Sequence, residues 1–221
     1  MTVPLRLGSA LLIAMLAASP TAWPEEHANA EDRCQVPSDV GTNSPSHYRT
    51  FNDGTVTDLS TGLTWEVKDT GVGIHSVDRT FTWSNSGTQP DGTAFTVFLE
   101  TLNNTCSQDE AFACTRNADC QGLGNGRCGY AGHRDWRLPT IKELQSIVDY
   151  ARFQPAIDPI FGPTRPRDIP GPNYWSSTTY AQHDHFALFV NFDTGFALSD
   201  GKVFTFFGIG LPVRAVRNDQ P

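Results

Sequence analysis

Apolar residues fall along the chain in three patterns: one unbroken run, two stripes of helical period and several alternating stretches. The run is Leu7 to Ala18, LGSALLIAMLAA, preceded by Arg6 and ended by Ser19-Pro20. It is too short to span a bilayer comfortably and has the length of a signal-peptide core. Ala28-Asn29-Ala30 fits an A-x-A cleavage site. The pattern therefore predicts a signal peptide over residues 1–30, cut near Ala30, and a secreted, periplasmic or surface location. Residues 31–47 read as a polar leader, and 48–221 as a single domain.

Within that domain, GTVTDLSTGLTWEV predicts a hairpin. Val56 lies in its first strand, Leu63, Trp65 and Val67 alternate in its second, and Ser60-Thr61-Gly62 supplies the turn. Residues 69–93 are rich in Gly, Ser, Asp and Thr and read as loop, with a short strand near Phe81-Thr82-Trp83. In TAFTVFLETLNN the residues Phe95, Phe98, Leu99 and Leu102 make one helical stripe, with Thr93 or Asp91 as its cap. A second stripe joins Ile141, Leu144, Ile147, Val148 and Ala151. The prolines of QPAIDPIFGPTRPRDIPGPN preclude extended regular structure. Beyond them HFALFVNF alternates, with Phe186, Leu188, Val190 and Phe192 on one face. Asp193-Thr194-Gly195 then turns the chain, FALS returns, Asp200-Gly201 signals another hairpin, and KVFTFF and LPVRAVR follow. Two helices and an antiparallel meander predict an α+β domain.

Composition narrows the functional classes. The 221 residues carry 16 Lys and Arg against 24 Asp and Glu, a net charge of −8. Removing Arg6, Glu25 and Glu26 with the signal takes it from −8 to −7. Such a chain is a poor partner for nucleic acid or an anionic membrane, and no later segment is apolar enough to span a bilayer. All five cysteines, Cys34, Cys106, Cys114, Cys120 and Cys128, follow the signal. In an oxidising compartment they read as disulfides of unspecified pairing, with one thiol left over. The spacings lack C-x-x-C and no His lies among them, which disfavours zinc. Residues 106–128 hold four of the five in a segment poor in core residues, a stapled loop.

The densest chemistry is AGHRDWRLPTIKEL, with His133, Arg134, Asp135, Trp136, Arg137 and Glu143. Thr140 followed by Glu143 is a capping box, with Pro139 holding the chain extended before it. Trp136 and Leu138 are expected in the core and Arg137 opposite them. The cluster thus reads as a structural corner, and Glu143 is not assigned a proton-transfer role.

The same residues carry a resemblance. DWRLPTIKELQSIVDY is similar to the motif of the DUF1566 or Lcl C-terminal domain family. Further blocks agree in order: DGTVTDLSTGLTWEV with Trp65, LNN, YWSST with Trp175, FVNFDTG and VRAVR. The resemblance implies exported, surface-associated modules, the best understood of which binds sulfated polysaccharides and host surfaces. It carries no catalytic residues. Its last block commonly reads V-R-C-V-R, where this chain has Ala215, which implies that Cys34 or Cys106 has lost a partner. The R-L-P-T motif also resembles C-type-lectin-like and formylglycine-generating-enzyme-like folds, implying that architecture.

The remaining candidates are weaker. His183, Asp184 and His185 could share a metal if extended, but no distant ligand is indicated, so they read as a polar loop. Ser176 and Ser177 lack a G-x-S-x-G elbow. Asp193 and Asp200 sit where hairpin turns place Asp, and the lectin calcium motifs E-P-N and W-N-D are missing. Arg165 and Arg167, in a proline-rich loop, are the candidates for ligand binding, with Arg214 and Arg217 able to add to a basic patch. No cofactor motif and no catalytic constellation emerge. The expectation is a non-catalytic binding or adhesion module for a glycan or surface protein, its alternative an extracytoplasmic hydrolase or oxidase.

Overall fold

The computed structural model describes residues 47–122, 124–166, 171–205, 208 and 210–218. The expected signal, its cleavage site, the leader up to residue 46 and Cys34 lie outside these residues, as does Arg167.

The first and last strands of the domain meet in one antiparallel sheet of order β1-β2-β3-β9. Its strands are β1 (Tyr48–Thr50), β2 (Thr55–Asp58), β3 (Leu63–Glu66) and β9 (Val216–Asn218). The predicted hairpin is β2–β3, with Val56 opposite Trp65. Its turn is shaped by buried Asp58, whose carboxylate accepts from Ser60 N (2.9 Å), Ser60 Oγ (2.6 Å) and Thr61 Oγ1 (2.8 Å). Asx geometry of this kind substitutes for backbone turn bonds.

A π-helical segment, Ala94–Leu99, runs directly into α1 (Glu100–Asn104). Phe98 and Leu102 are buried as the stripe predicts, but neither expected cap closes this helix. Thr93 is itself in helical conformation and bonds to Thr82. Asp91 instead gathers the Ser84–Ser86 turn.

The cysteine-rich segment contributes a small hairpin, β4 (Thr105–Cys106) with β5 (Asp109–Ala113), and a short helix α2 (Asn117–Gln121). The second predicted helix, α3 (Ile141–Ser146), is shorter than its stripe. Val148 leaves it to bridge Ile157, and Ala151 is exposed.

The second main sheet is β6 (Asn173–Thr179), β7 (Phe186–Asn191) and β8 (Phe196–Gly201), all antiparallel. Phe186 is exposed, whereas Ala187 and Phe189 are buried along with Val190 and Phe192. The one-faced alternation fails because both faces of β7 are covered. Asp200-Gly201 makes no turn: it continues β8, paired with Ala187 and Phe186.

Two apolar clusters result, and β6 sends one residue into each. Tyr174 joins Trp65, Leu144, Phe161, Phe192 and Val216. Its neighbour Trp175 joins Trp83, Phe98, Trp136, Leu138 and Phe189. Successive strand residues point to opposite faces, so adjacent aromatics serve two layers. Among the described residues no helix is long and apolar enough to cross a membrane.

Candidate ligand-binding clefts beside the stapled loop

Most side chains of the corner at residues 131–144 make contacts that hold the fold together. Thr140 and Glu143 form the capping box: Glu143 N–H donates to Thr140 Oγ1 (3.3 Å) and Thr140 N–H to Glu143 Oε2 (2.7 Å). Arg137 donates twice to the same carboxylate. Trp136 is buried, its Nε1–H bonded to the Tyr130 carbonyl (2.9 Å), and Leu138 is buried beside it. Asp135 accepts from Arg217 (2.9 Å). Arg134 donates to the carbonyls of Asn103 and Thr115 and to Asn104 Oδ1, latching the stapled loop to the end of α1.

That loop is closed by two interleaved disulfides, Cys106–Cys120 and Cys114–Cys128. Cys106 is therefore paired, and of the two cysteines the resemblance left in question only Cys34 remains. The four half-cystines make an apolar cluster of their own, separate from both cores. Cross-links substitute there for a core that the sequence cannot supply.

Two concavities flank the loop. The first, of about 490 Å³, runs between β4–β5 and the Gly73–His75 loop. Its walls include Thr101, Gln108, Asp109, Glu110, His75 and Tyr130. The second, wider and more open, holds about 640 Å³ and is lined by Thr115, Arg116, Asn117, His133, Arg134, Asp135 and Arg217. Arg116 is largely exposed and pairs with Asp119 (3.0 Å).

Behind the first cleft lies a buried charged cluster that the alternation rule hides. Glu66 and Lys68 follow Trp65 on the strand's other face, which a one-layer reading sends to solvent. Both are instead fully buried, with Lys68 Nζ 2.8 Å from Glu66 Oε1. The same oxygen lies 2.8 Å from His75 Nδ1, and Glu66 Oε2 accepts the Ala215 N–H (3.0 Å). Burial pushes the Glu66 carboxyl up, but Lys68 and His75 outweigh it and hold the group below its ordinary pKa. Burial likewise pulls the Lys68 ammonium down, opposed by Glu66. Lys68 also sits over the Phe98 ring, 4.7 Å from its centroid. The third buried charge is Arg214, which donates to the carbonyls of Glu66 and Phe161 (2.7 Å each). His75 stacks on Tyr130 at 4.1 Å between centroids. The Tyr130 hydroxyl in turn donates to the Gly54 carbonyl (2.5 Å). Gly54 is at φ 84°, and a Cβ there would strike that hydroxyl, so a glycine is required on two counts.

The structure separates the other candidates. Arg165 is half-exposed and bound to Asp193 (2.8 Å), far in sequence from Arg214, which is buried, and Arg217, which is bound to Asp135. These arginines do not form one exposed patch. His183, Asp184 and His185 are all exposed, with 3.7 Å between His185 Nε2 and Asp184 Oδ1. Ser176 donates to the Leu188 carbonyl and Ser177 to that of Pro139, so both hydroxyls serve the sheet. Among the described residues the grouped metal-type side chains are Cys106, Cys114 and Cys120, all consumed by the disulfides.

The profile of the Lcl C-terminal domain family matches residues 54–217, from the β2 hairpin to β9. The chain belongs to the Lcl C-terminal domain family. No curated protein and no solved structure matches, so the C-type-lectin-like architecture suggested by R-L-P-T gains no support from a solved relative. Both concavities and the stapled loop lie within the Lcl C-terminal domain itself. Glu66, Lys68, His75, Glu110 and Tyr130 were not singled out by any motif. Their proximity comes from the bridge between Asp69 and Ser76, which folds the loop after β3 back on itself, and from the disulfides beside β4 and β5.

Proposed function

We propose that this Lcl C-terminal domain is an exported, non-catalytic recognition module, binding an anionic glycan or surface partner along the groove of Arg116, Arg134 and Arg217. One observation carries the reading. The loop that lines both concavities is held by two interleaved disulfides and the Arg134 latch. Ordered loops on a rigid scaffold are favoured places for recognition, and pre-ordering lowers the entropy lost on binding. The groove sets Arg116, Arg134 and the buried Arg217 against Asp135 and the Asp119 bound to Arg116, a surplus of positive charge that favours a negative ligand there although the chain is acidic overall. The family resemblance to a binder of sulfated polysaccharides points the same way.

A glycan array followed by titration of the bound glycan at rising salt tests this. Affinity is expected to fall steeply with salt and to drop further in Arg116→Ala, whose side chain has no core role. Loss in the Arg165→Ala, Arg167→Ala double variant instead would move the site to the proline-rich loop. Salt-independent binding would overturn the anionic-ligand reading. The alternative, an extracytoplasmic enzyme, draws on the Glu66–His75 pair at the first cleft. Turnover abolished by His75→Ala would establish it.

A further inference from the structure

We propose that the outer edge of β8 is the interface through which two copies of this chain pair, strand to strand and antiparallel about a two-fold axis. β8 ends the sheet order β6-β7-β8, and Phe196, Ala197, Leu198 and Ser199 are all exposed. The direction of its backbone groups follows from its pairing with β7. Lys202 N–H donates to the His185 carbonyl (2.9 Å), one step beyond the Gly201–Phe186 pair. Hydrogen-bonded and non-hydrogen-bonded pairs alternate along an antiparallel ladder, so Phe196, Leu198 and Asp200 turn their N–H and C=O groups toward β7. Those of Ala197 and Ser199 point outward, and no described strand pairs with them. The edge carries no proline, lysine or bulge of the kind that blunts open sheet edges.

A second copy fits because this edge is complementary to itself. A two-fold axis at Leu198 sets Ala197 opposite the partner's Ser199 and Ser199 opposite the partner's Ala197, which satisfies the outward N–H and C=O groups of both residues. Leu198 then meets the partner's Leu198 in a non-hydrogen-bonded pair, where side chains approach most closely, and Phe196 reaches the partner's Leu198 on the diagonal. Moving the axis to Ala197 would set Ser199 against Gly195, whose N–H is already bonded to the Asn191 carbonyl (2.7 Å). Moving it to Ser199 would pair Leu198 with Asp200. Hydrogen bonding and apolar contact thus select one register.

The strand ends match in the same register, which places Gly201 opposite the partner's Gly195. The Tyr150 ring lies against Gly195, and the Phe204 carbonyl lies against Gly201. Phe153 precedes Gln154, whose N–H donates to the Asp193 carbonyl in the turn before β8 (3.2 Å). Tyr150 (68 %), Phe153 (72 %), Phe196 (65 %) and Phe204 (81 %) are the most exposed aromatic side chains among the described residues, and all four stand along this edge. Antiparallel pairing brings Phe204 of one copy toward Tyr150 and Phe153 of the other. With about 150–250 Å² per aromatic side chain, covering these four and half-exposed Leu198 on both copies removes on the order of 1,200 Å² from water, the lower end of a specific interface. A reversible dimer is the expected product.

The test is sedimentation velocity of the full, tag-free chain, processed as the cell processes it and with both disulfides formed, at rising concentration. A monomer–dimer equilibrium in the micromolar range is expected. Leu198→Lys and Ala197→Pro should each weaken it at least tenfold, with circular dichroism confirming the fold. Val72→Lys, at a loop residue 96 % exposed, should leave it unchanged. In a Cys34→Ser background, Leu198→Cys should form an intermolecular disulfide on mild oxidation, because facing Cα atoms in such a pair stand about 4.5 Å apart, within disulfide reach. Lys142→Cys on α3 should not. A chain that stays monomeric throughout would overturn the assignment and give the edge to a strand from another protein. Association undiminished in folded Leu198→Lys and Ala197→Pro would overturn it as well. No residue of β8 lines either concavity, so dimerisation and glycan binding at the arginine groove are read separately.

Discussion

Arg137 grips the carboxylate of Glu143 with two parallel hydrogen bonds, Nη1 to Oε2 and Nη2 to Oε1, each 2.8 Å. Oε2 also accepts the Thr140 N–H that opens α3. One carboxylate thus joins the approach strand, the helix cap and, through Arg137 Nη2 to Asn218 Oδ1 (2.9 Å), the terminal strand β9. Thr140→Ala removes the cap's acceptor and should cost about 1 kcal/mol. Urea denaturation against wild type measures it.

The same carboxylate gives a pH prediction. Hydrogen bonds from Arg137, the largest influence, outweigh partial burial, and Thr140 adds to them, so the pKa of Glu143 lies below its ordinary 4.5. A depressed carboxyl contributes stability that is present above the unfolded-state pKa and is lost as pH falls through the folded one. Wild type should therefore exceed Glu143→Gln in stability near neutrality, and the gap should close as pH drops below about 4.5. A gap constant from pH 7 to acid would mean that charge plays no part in this contact.

Trp136 should matter more than the cap it precedes. It is buried against Tyr130 and Leu138, and its indole N–H is satisfied. Trp136→Ala opens a cavity in the second core cluster, and about 3–5 kcal/mol is expected. Equal, small effects for Thr140→Ala and Trp136→Ala would mean the stretch is peripheral.

What the sequence revealed and what it hid divides along one physical line. Local signals came through: the capping box at Thr140 and Glu143, the alternation of Trp136 and Leu138, the β2–β3 hairpin and the stapled loop. The first three depend on nearby residues, and each disulfide spans only 14 residues. The charged cluster did not come through, because burial of Glu66 and Lys68 depends on what Ala215, His75 and Arg214 bring from elsewhere in the chain. Alternation assigns a strand two faces but cannot say that both are covered. The same blind spot grouped Phe186, which is exposed, with the buried Val190 and Phe192, and ended β8 too early at Asp200-Gly201, where pairing with Ala187 and Phe186 overrides the turn preference. Likewise Thr93 reads as a cap by type but is claimed by Thr82.

The buried pair offers a direct energetic check. Lys68→Met leaves Glu66 buried with only His75 and the Ala215 N–H, and removing one member of such a pair typically costs about 3–5 kcal/mol. Glu66→Gln leaves Lys68 buried without a counter-charge and should cost a comparable amount. The double variant retains the acceptor for His75 and Ala215 and buries no isolated charge in this pair, so its cost should fall well short of the sum. A double-mutant cycle by urea denaturation measures the coupling, and strict additivity would show that the two charges do not stabilise one another.

The disulfides should stabilise the loop rather than the domain. The half-cystines form an apolar cluster separate from the cores, and no tryptophan lies in it. Cys114→Ser with Cys128→Ser should therefore let residues 115–127 open locally while the tryptophan-rich cores persist. Trypsin should cut the variant rapidly after exposed Arg116, with the wild type resistant at the same site. The global unfolding midpoint should move little. A bridge closing a loop of about 15 residues contributes roughly 3 kcal/mol by chain entropy, but that full value registers only if loop and core unfold together. A loss of that size in the global transition, without faster cleavage at Arg116, would show that the stapled loop is an integral part of the cooperative fold and that Arg134 latches more than the walls of the clefts.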